Sequence, residues 1–113
     1  QCDGGSVVRV LFDQGTPVPL REALAGHDVA TAHECGWSRL KNGELLLTAE
    51  SEGFEVLVTT DRNLRYQQNL SVRRIAIVVL STTSWPRISA AAARVRTAVN
   101  ACKPGGYIEV SVP

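Results

Sequence analysis

Residues 54–64 read FEVLVTTDRNL. Phe54 to Thr59 is short, rich in β-branched residues and almost wholly apolar, and this pattern predicts a buried strand. A strand without a polar side must be covered on both faces, as in the parallel sheets of α/β proteins. Asp61 follows at its exit, where a neutral turn residue would serve as well. Both the fold and the function turn on whether other strands, and other acids, arrive at the same place.

Two further runs have the same character: Val7 to Phe12 (VVRVLF) before this segment and Ile75 to Leu80 (IAIVVL) after it. Asp28 to Ala32 predicts a weaker strand and Tyr107 to Val112 a last one. Between them, Pro19 to Leu24 predicts a short helix. Asn42 to Glu52 predicts a second, with Asn42 as N-cap, Leu45, Leu46 and Ala49 as its apolar stripe, and Gly53 as its stop. Residues 61–74 suggest a helical turn or two plus loop. Pro86 to Cys102 predicts one long helix, on which Ile88, Ala91, Val95, Ala98, Val99 and Cys102 recur at helical spacing. The stretch CGWSRLK reads as loop. Strands alternating with helices predict an α/β fold with a mostly parallel sheet covered by helices.

The chain has 113 residues, 44% of them hydrophobic, and a formal net charge of +1. These values predict one domain over residues 7–113, with residues 1–6 as a flexible N-terminal segment. A net charge near zero gives no overall electrostatic case for nucleic acid, which leaves any such contact to a local patch. The longest apolar run, Ile75 to Leu80, is too short to cross a bilayer, and no basic-then-apolar leader opens the sequence. A cytoplasmic chain without a membrane partner is expected. Cys2, Cys35 and Cys102 are scattered singly, which is neither a disulfide framework nor a zinc site, and His33 and Cys35 around Glu34 leave a zinc shell incomplete. His27, in AGHDV, is expected to be a solvated turn residue.

In open α/β sheets, ligands bind beyond the carboxyl ends of the strands. Asp13 follows VVRVLF and Asp61 follows FEVLVTT, while Glu44 lies in the first turn of the Asn42 helix. Parallel neighbouring strands would bring these acids to one edge. Three hard oxygen donors there would suit Mg²⁺ or Mn²⁺, which can activate water against a phosphodiester. Each acid taken singly also has a structural explanation: a turn former or N-cap for Asp13 and Asp61, a helix N-terminal charge for Glu44. No G-x-G-x-x-G or G-x-x-x-x-G-K occurs, so a Gly-rich phosphate cradle has no support.

VLFDQGTPVPL, GHDVATAHECGWSRLKNGELLLTAESEGFEVLVTTDRNL and RRIAIVVL together resemble the small bacterial PIN-like proteins, relatives of the PIN-domain ribonucleases. The resemblance covers about Val7 to Leu80, with a looser fit through the final helix. It implies a PIN-like three-layer α/β/α sandwich and a metal-dependent endoribonuclease, as in the toxins of toxin–antitoxin pairs. RNA would be the substrate, an antitoxin protein a partner, and a homodimer the assembly. It assigns catalysis and metal binding to Asp13, Glu44 and Asp61. Asn42 and Asn63 stand where relatives often carry acids, and they offer carbonyl oxygens without charge. Lys41, Arg62, Arg65, Arg73 and Arg74 lie near the proposed edge as RNA contacts, with Trp37 and Tyr66 available for base stacking. Ser81 and Thr82 follow another strand as secondary polar residues. The alternative is a catalytically degenerate PIN-like binding module acting through protein or RNA contacts.

Overall fold

The computed structural model describes residues 8–13, 16–24, 26–37, 39–40, 42–60, 75–102 and 105–112, with Asn42 and Gly43 described by backbone alone. Five strands, β1 (Arg9–Phe12), β2 (Asp28–Thr31), β3 (Val56–Thr59), β4 (Ala76–Leu80) and β5 (Tyr107–Val110), form one sheet in the order β2-β1-β3-β4-β5. Every pairing is parallel. The α/β fold expected from the sequence is therefore present, and its sheet is parallel throughout.

The all-apolar strands explain the layering. Alternate side chains of β1, β3 and β4 point to opposite faces, and both faces are buried. Val10, Phe12, Val56, Val58, Ala76, Val78 and Leu80 meet a 3-10 helix (Val18–Leu24) and the pair α2 (Trp85–Ala90) and α3 (Ala92–Ala101). Leu11, Leu57, Ile77 and Val79 meet Leu45, Leu46 and Ala49 of α1 (Asn42–Ser51). Helices on both sides of the sheet make three layers.

Local chemistry sets the ends of α1. Gly53 takes φ +88°, a left-handed conformation that glycine adopts without a Cβ penalty. The Gly53 N–H donates to the Glu50 carbonyl (3.2 Å) and the Phe54 N–H to the Ala49 carbonyl (3.0 Å), the double bond of a Schellman cap. Phe54 then turns into the core, stacks edge-on against Trp37 with centroids 5.9 Å apart, and carries the Arg9 guanidinium 4.4 Å above its ring. This turn delays β3 to Val56, two residues later than the apolar run alone suggests.

The short helix expected over Pro19–Leu24 is present as the 3-10 helix Val18–Leu24. Two expectations are corrected. The long C-terminal helix breaks at Ala91 (φ −109°, ψ 16°), whose N–H is shared between the carbonyls of Arg87 and Ile88. The break lets Ile88 on one side and Val95, Ala98 and Val99 on the other face the same core. His27 is also not simply solvated. Its Nδ1 accepts the Val8 N–H (3.1 Å) and its Nε2 lies 2.8 Å from Asn100 Oδ1, which makes Nε2 the protonated nitrogen. One imidazole thus ties the start of β1, the turn into β2 and the end of α3.

The connections differ in hand. β1 to β2 moves toward one edge of the sheet and β4 to β5 toward the other, yet the 3-10 helix and α3 share a face. The β2-to-β3 connection crosses on the opposite face through α1, with the same hand as the first. Crossovers between parallel strands share one hand as a strong rule, and the β4-to-β5 connection departs from the hand of the other two described here.

His27→Ala should lower stability by about 1–3 kcal/mol, because it leaves the Val8 N–H and the Asn100 carboxamide without their partner. Urea midpoints of His27→Ala, Asn100→Ala and the double variant check this. The double variant should lose less than the sum of the two, since both remove the same contact.

Candidate functional site

In the order 2-1-3-4-5 the strand order reverses between β1 and β3, with β2 on one side of β1 and β3 on the other. Asp13 sits at the carboxyl end of β1, beside this point. Phe12 is in register with Val58, so Asp13 lies opposite Thr59, and the Asp13 N–H continues the ladder to the Val58 carbonyl (3.2 Å). Two positions beyond Leu11 and Leu57, Asp13 and Thr59 lie on the sheet face that α1 covers.

The half-buried Asp13 carboxylate is held from two sides. Thr59, which is buried, donates its hydroxyl to Oδ2. Thr16, also buried, places its hydroxyl 2.8 Å from Oδ1 and 2.8 Å from the Val58 carbonyl. With one hydrogen and two acceptors, Thr16 donates to one at a time. The Thr16 N–H also donates to the Asp13 carbonyl (3.2 Å). These contacts fix the carboxylate relative to both β1 and β3.

Beside Asp13 lies a cavity of about 300 Å³, lined by Asp13, Thr16, Val18, Thr31 and His33. Its β2 wall is organised by a reciprocal cap. The Glu34 N–H donates to the Thr31 hydroxyl oxygen (3.1 Å), and the Thr31 N–H donates to Glu34 Oε1 (3.0 Å). This is a capping box in Thr31-Ala32-His33-Glu34, and it begins a turn closed by Cys35 N–H to the Thr31 carbonyl (3.1 Å). The T-x-x-E signature spans the end of the predicted Asp28–Ala32 strand and the His33–Cys35 stretch weighed for zinc. The box presents His33 at the cavity. Glu34 itself pairs with Arg21 of the 3-10 helix. The Arg21 guanidinium, and after it the Thr31 N–H, hold the Glu34 carboxyl below its ordinary range.

The other expected residues distribute unevenly. Glu44 is in the first turn of α1, exposed, on the helix that covers the Asp13 face. Ser81 and Thr82 follow β4. The Ser81 hydroxyl accepts the Val112 N–H (2.8 Å) and the Thr82 hydroxyl accepts the Ser84 N–H (3.1 Å), so both organise turns beyond β4. Trp37 packs on Phe54. Asp61, Asn63, Lys41, Arg62, Arg65, Arg73, Arg74 and Tyr66 lie outside the described residues, as does the side chain of Asn42. Among the described residues, no three His, Cys, Asp or Glu side chains converge to hold a metal ion. No described helix is long and apolar enough to cross a membrane.

A larger cavity, about 370 Å³, opens at the opposite edge of the sheet, lined by Val8, Phe54, Val56, Val99 and Cys102 among others. Burial pushes the Cys102 thiol up to about 11 and raises that of Cys35, so neither is a thiolate nucleophile at neutral pH.

Two outcomes follow from this geometry. Thr16→Val and Thr59→Val should each cost about 1–3 kcal/mol, because each leaves a half-buried carboxylate oxygen without its donor, and urea unfolding reads the loss. Glu34 has a folded value below its unfolded one, so its contribution is complete above the ordinary value of 4.5 and disappears as pH falls through the depressed one. Glu34→Gln should therefore differ from wild type in urea midpoint at pH 7 and converge with it in acid.

No family profile, curated protein sequence or solved structure matches the chain.

Proposed function

We propose that the chain is a cytoplasmic, Mg²⁺- or Mn²⁺-dependent endoribonuclease of the PIN-like kind, acting as the toxin of a toxin–antitoxin pair. The observation that carries this reading is the hydrogen bond between Asp13 and Thr59. It joins the ends of two strands remote in sequence at the chain reversal, and Thr59 stands two residues before Asp61. The donor set around Asp13 is carboxylate and hydroxyl oxygen, the chemistry that hard divalent cations prefer. Such an ion, when bound, polarises a phosphodiester and generates hydroxide near neutral pH.

Each residue then has a role. Asp13, fixed by two hydroxyls, and Asp61 bind the ion. Glu44, at the head of α1, binds it too or orients the attacking water. Asn42 and Asn63 supply neutral carbonyl oxygens. Lys41, Arg62, Arg65 and Arg73 offset the charge of the RNA backbone, with arginine forks suited to phosphate oxygens. An antitoxin chain and a second copy of this chain are the protein partners of this reading.

A second reading is a binding module that keeps the fold without the chemistry. It is favoured by Asn42 and Asn63, which bring no charge where relatives of the resembled family often carry acids. Mn²⁺ titration separates the two: micromolar binding abolished by Asp61→Asn supports the enzyme.

Cleavage of single-stranded RNA with Mn²⁺ tests the proposal directly. Asp13→Ala and Asp61→Ala should each lower the rate by at least the roughly 10–100-fold that loss of a metal's outer-shell partner costs. Equal rates for wild type and both variants would sink it.

A further inference from the structure

The cavity beside Asp13 holds more than a metal ligand. Val18 begins the 3-10 helix and is 53% exposed; it and Leu47 are the large apolar side chains that stand exposed among the described residues. Val18 forms one wall of the cavity, and Thr31, 5% exposed, lines it from the end of β2. The Thr31 hydroxyl oxygen already accepts the Glu34 N–H, which leaves its hydrogen to donate. The exposed His33 supplies an imidazole. At about 300 Å³ the volume is at the lower end of small-molecule sites, room for one compact group rather than an extended chain. The described lining offers an aliphatic wall, hydroxyls and an imidazole in place of a cluster of basic side chains. That surface suits a flat, neutral, hydrogen-bonding group better than a phosphate.

We propose that this cavity receives one unpaired nucleobase of the RNA, packed against Val18 with His33 beside it and hydrogen-bonded by Thr31, while the adjoining phosphodiester lies over Asp13. The proposal rests on the ribonuclease reading and names its base subsite. It makes the protein selective for single strands, because a base can pack against Val18 and reach Thr31 only when it is unstacked and unpaired. The wall and the acid belong to one structural unit. Asp13 and Thr16 are joined by a backbone hydrogen bond and Thr16 stands two residues before Val18, so the base and the phosphodiester would be positioned by neighbouring residues.

The test is a titration of the full chain with the four ribonucleosides, which carry no phosphate, followed by amide chemical shifts. The shifts should localise to Thr16, Val18, Thr31 and His33. Val18→Ser should weaken nucleoside binding about five-fold through lost apolar contact, and Val18→Leu should retain it. Val18 is exposed, so both variants should keep the wild-type urea midpoint. Nucleosides that move none of these amides, equal binding by Val18→Ser and wild type, or the same shifts produced by inorganic phosphate alone would overturn the base subsite. The two readings fail separately. Nucleoside binding here without Mn²⁺-dependent RNA cleavage keeps the pocket and removes the nuclease; cleavage that Val18→Ser leaves unchanged, with no nucleoside shifts, does the reverse.

Discussion

Strands β3 and β4 have no polar face. Val56, Leu57, Val58 and Thr59 are buried, and so is every residue from Ala76 to Leu80. Most of the architecture follows from that constraint. Burying both faces demands a helical layer on each side, and parallel neighbours demand crossovers long enough to carry those helices. Parallel strands also deliver all their carboxyl ends to one edge. The strand order reverses between β1 and β3, and Asp13 sits at the carboxyl end of β1 beside that point.

The same constraint explains what could be read in advance. Apolar runs without alternation announce buried parallel strands, and the runs 7–12, 54–59 and 75–80 gave β1, β3 and β4. The break at Ala91 was not legible, because a run of alanines carries no side-chain signal for where a helix bends. The delay of β3 to Val56 was hidden because Phe54 is as apolar as a strand residue, yet serves the Schellman cap and the Trp37 contact. At the site, Asp13 was visible as an acid at a strand exit. Its partners were not, since Thr16 and Thr59 look like ordinary turn and strand threonines until register places them on one carboxylate. The Thr31–Glu34 box was visible in principle. It went unread because no apolar helical run follows it, so the stretch resembled loop.

The unusual hand of the β4-to-β5 connection bears on the site as well. A crossover of the same hand as the first two would have placed α2 and α3 on the α1 face. Instead they cover the face where the 3-10 helix lies, and α3 packs directly on that helix. Leu20 and Leu24 are wholly buried in the same core as Val95, Ala98 and Val99. The His27–Asn100 contact clamps the far end of this pairing. The segment that leaves Asp13 is thereby anchored within a few residues of the site. Val18 stays at the surface because the helix it begins is fixed by Leu20 and Leu24 beneath it.

Cavity size alone does not point to the edge where Asp13 sits. The larger space lies where the strands begin, and its Glu50 carboxylate already accepts the Ile75 N–H at 3.2 Å. The smaller space lies where the strands end, and there the sheet itself positions the Asp13 carboxylate. A one-residue slip of β1 against β3 would remove Asp13 from Thr59 and expose Leu11 and Phe12 to the wrong layers. The apolar core therefore forbids the slip, and by forbidding it holds the carboxylate in place. Hydrophobic register thus supplies the precision that chemistry at Asp13 would need, and the two hydroxyls refine it.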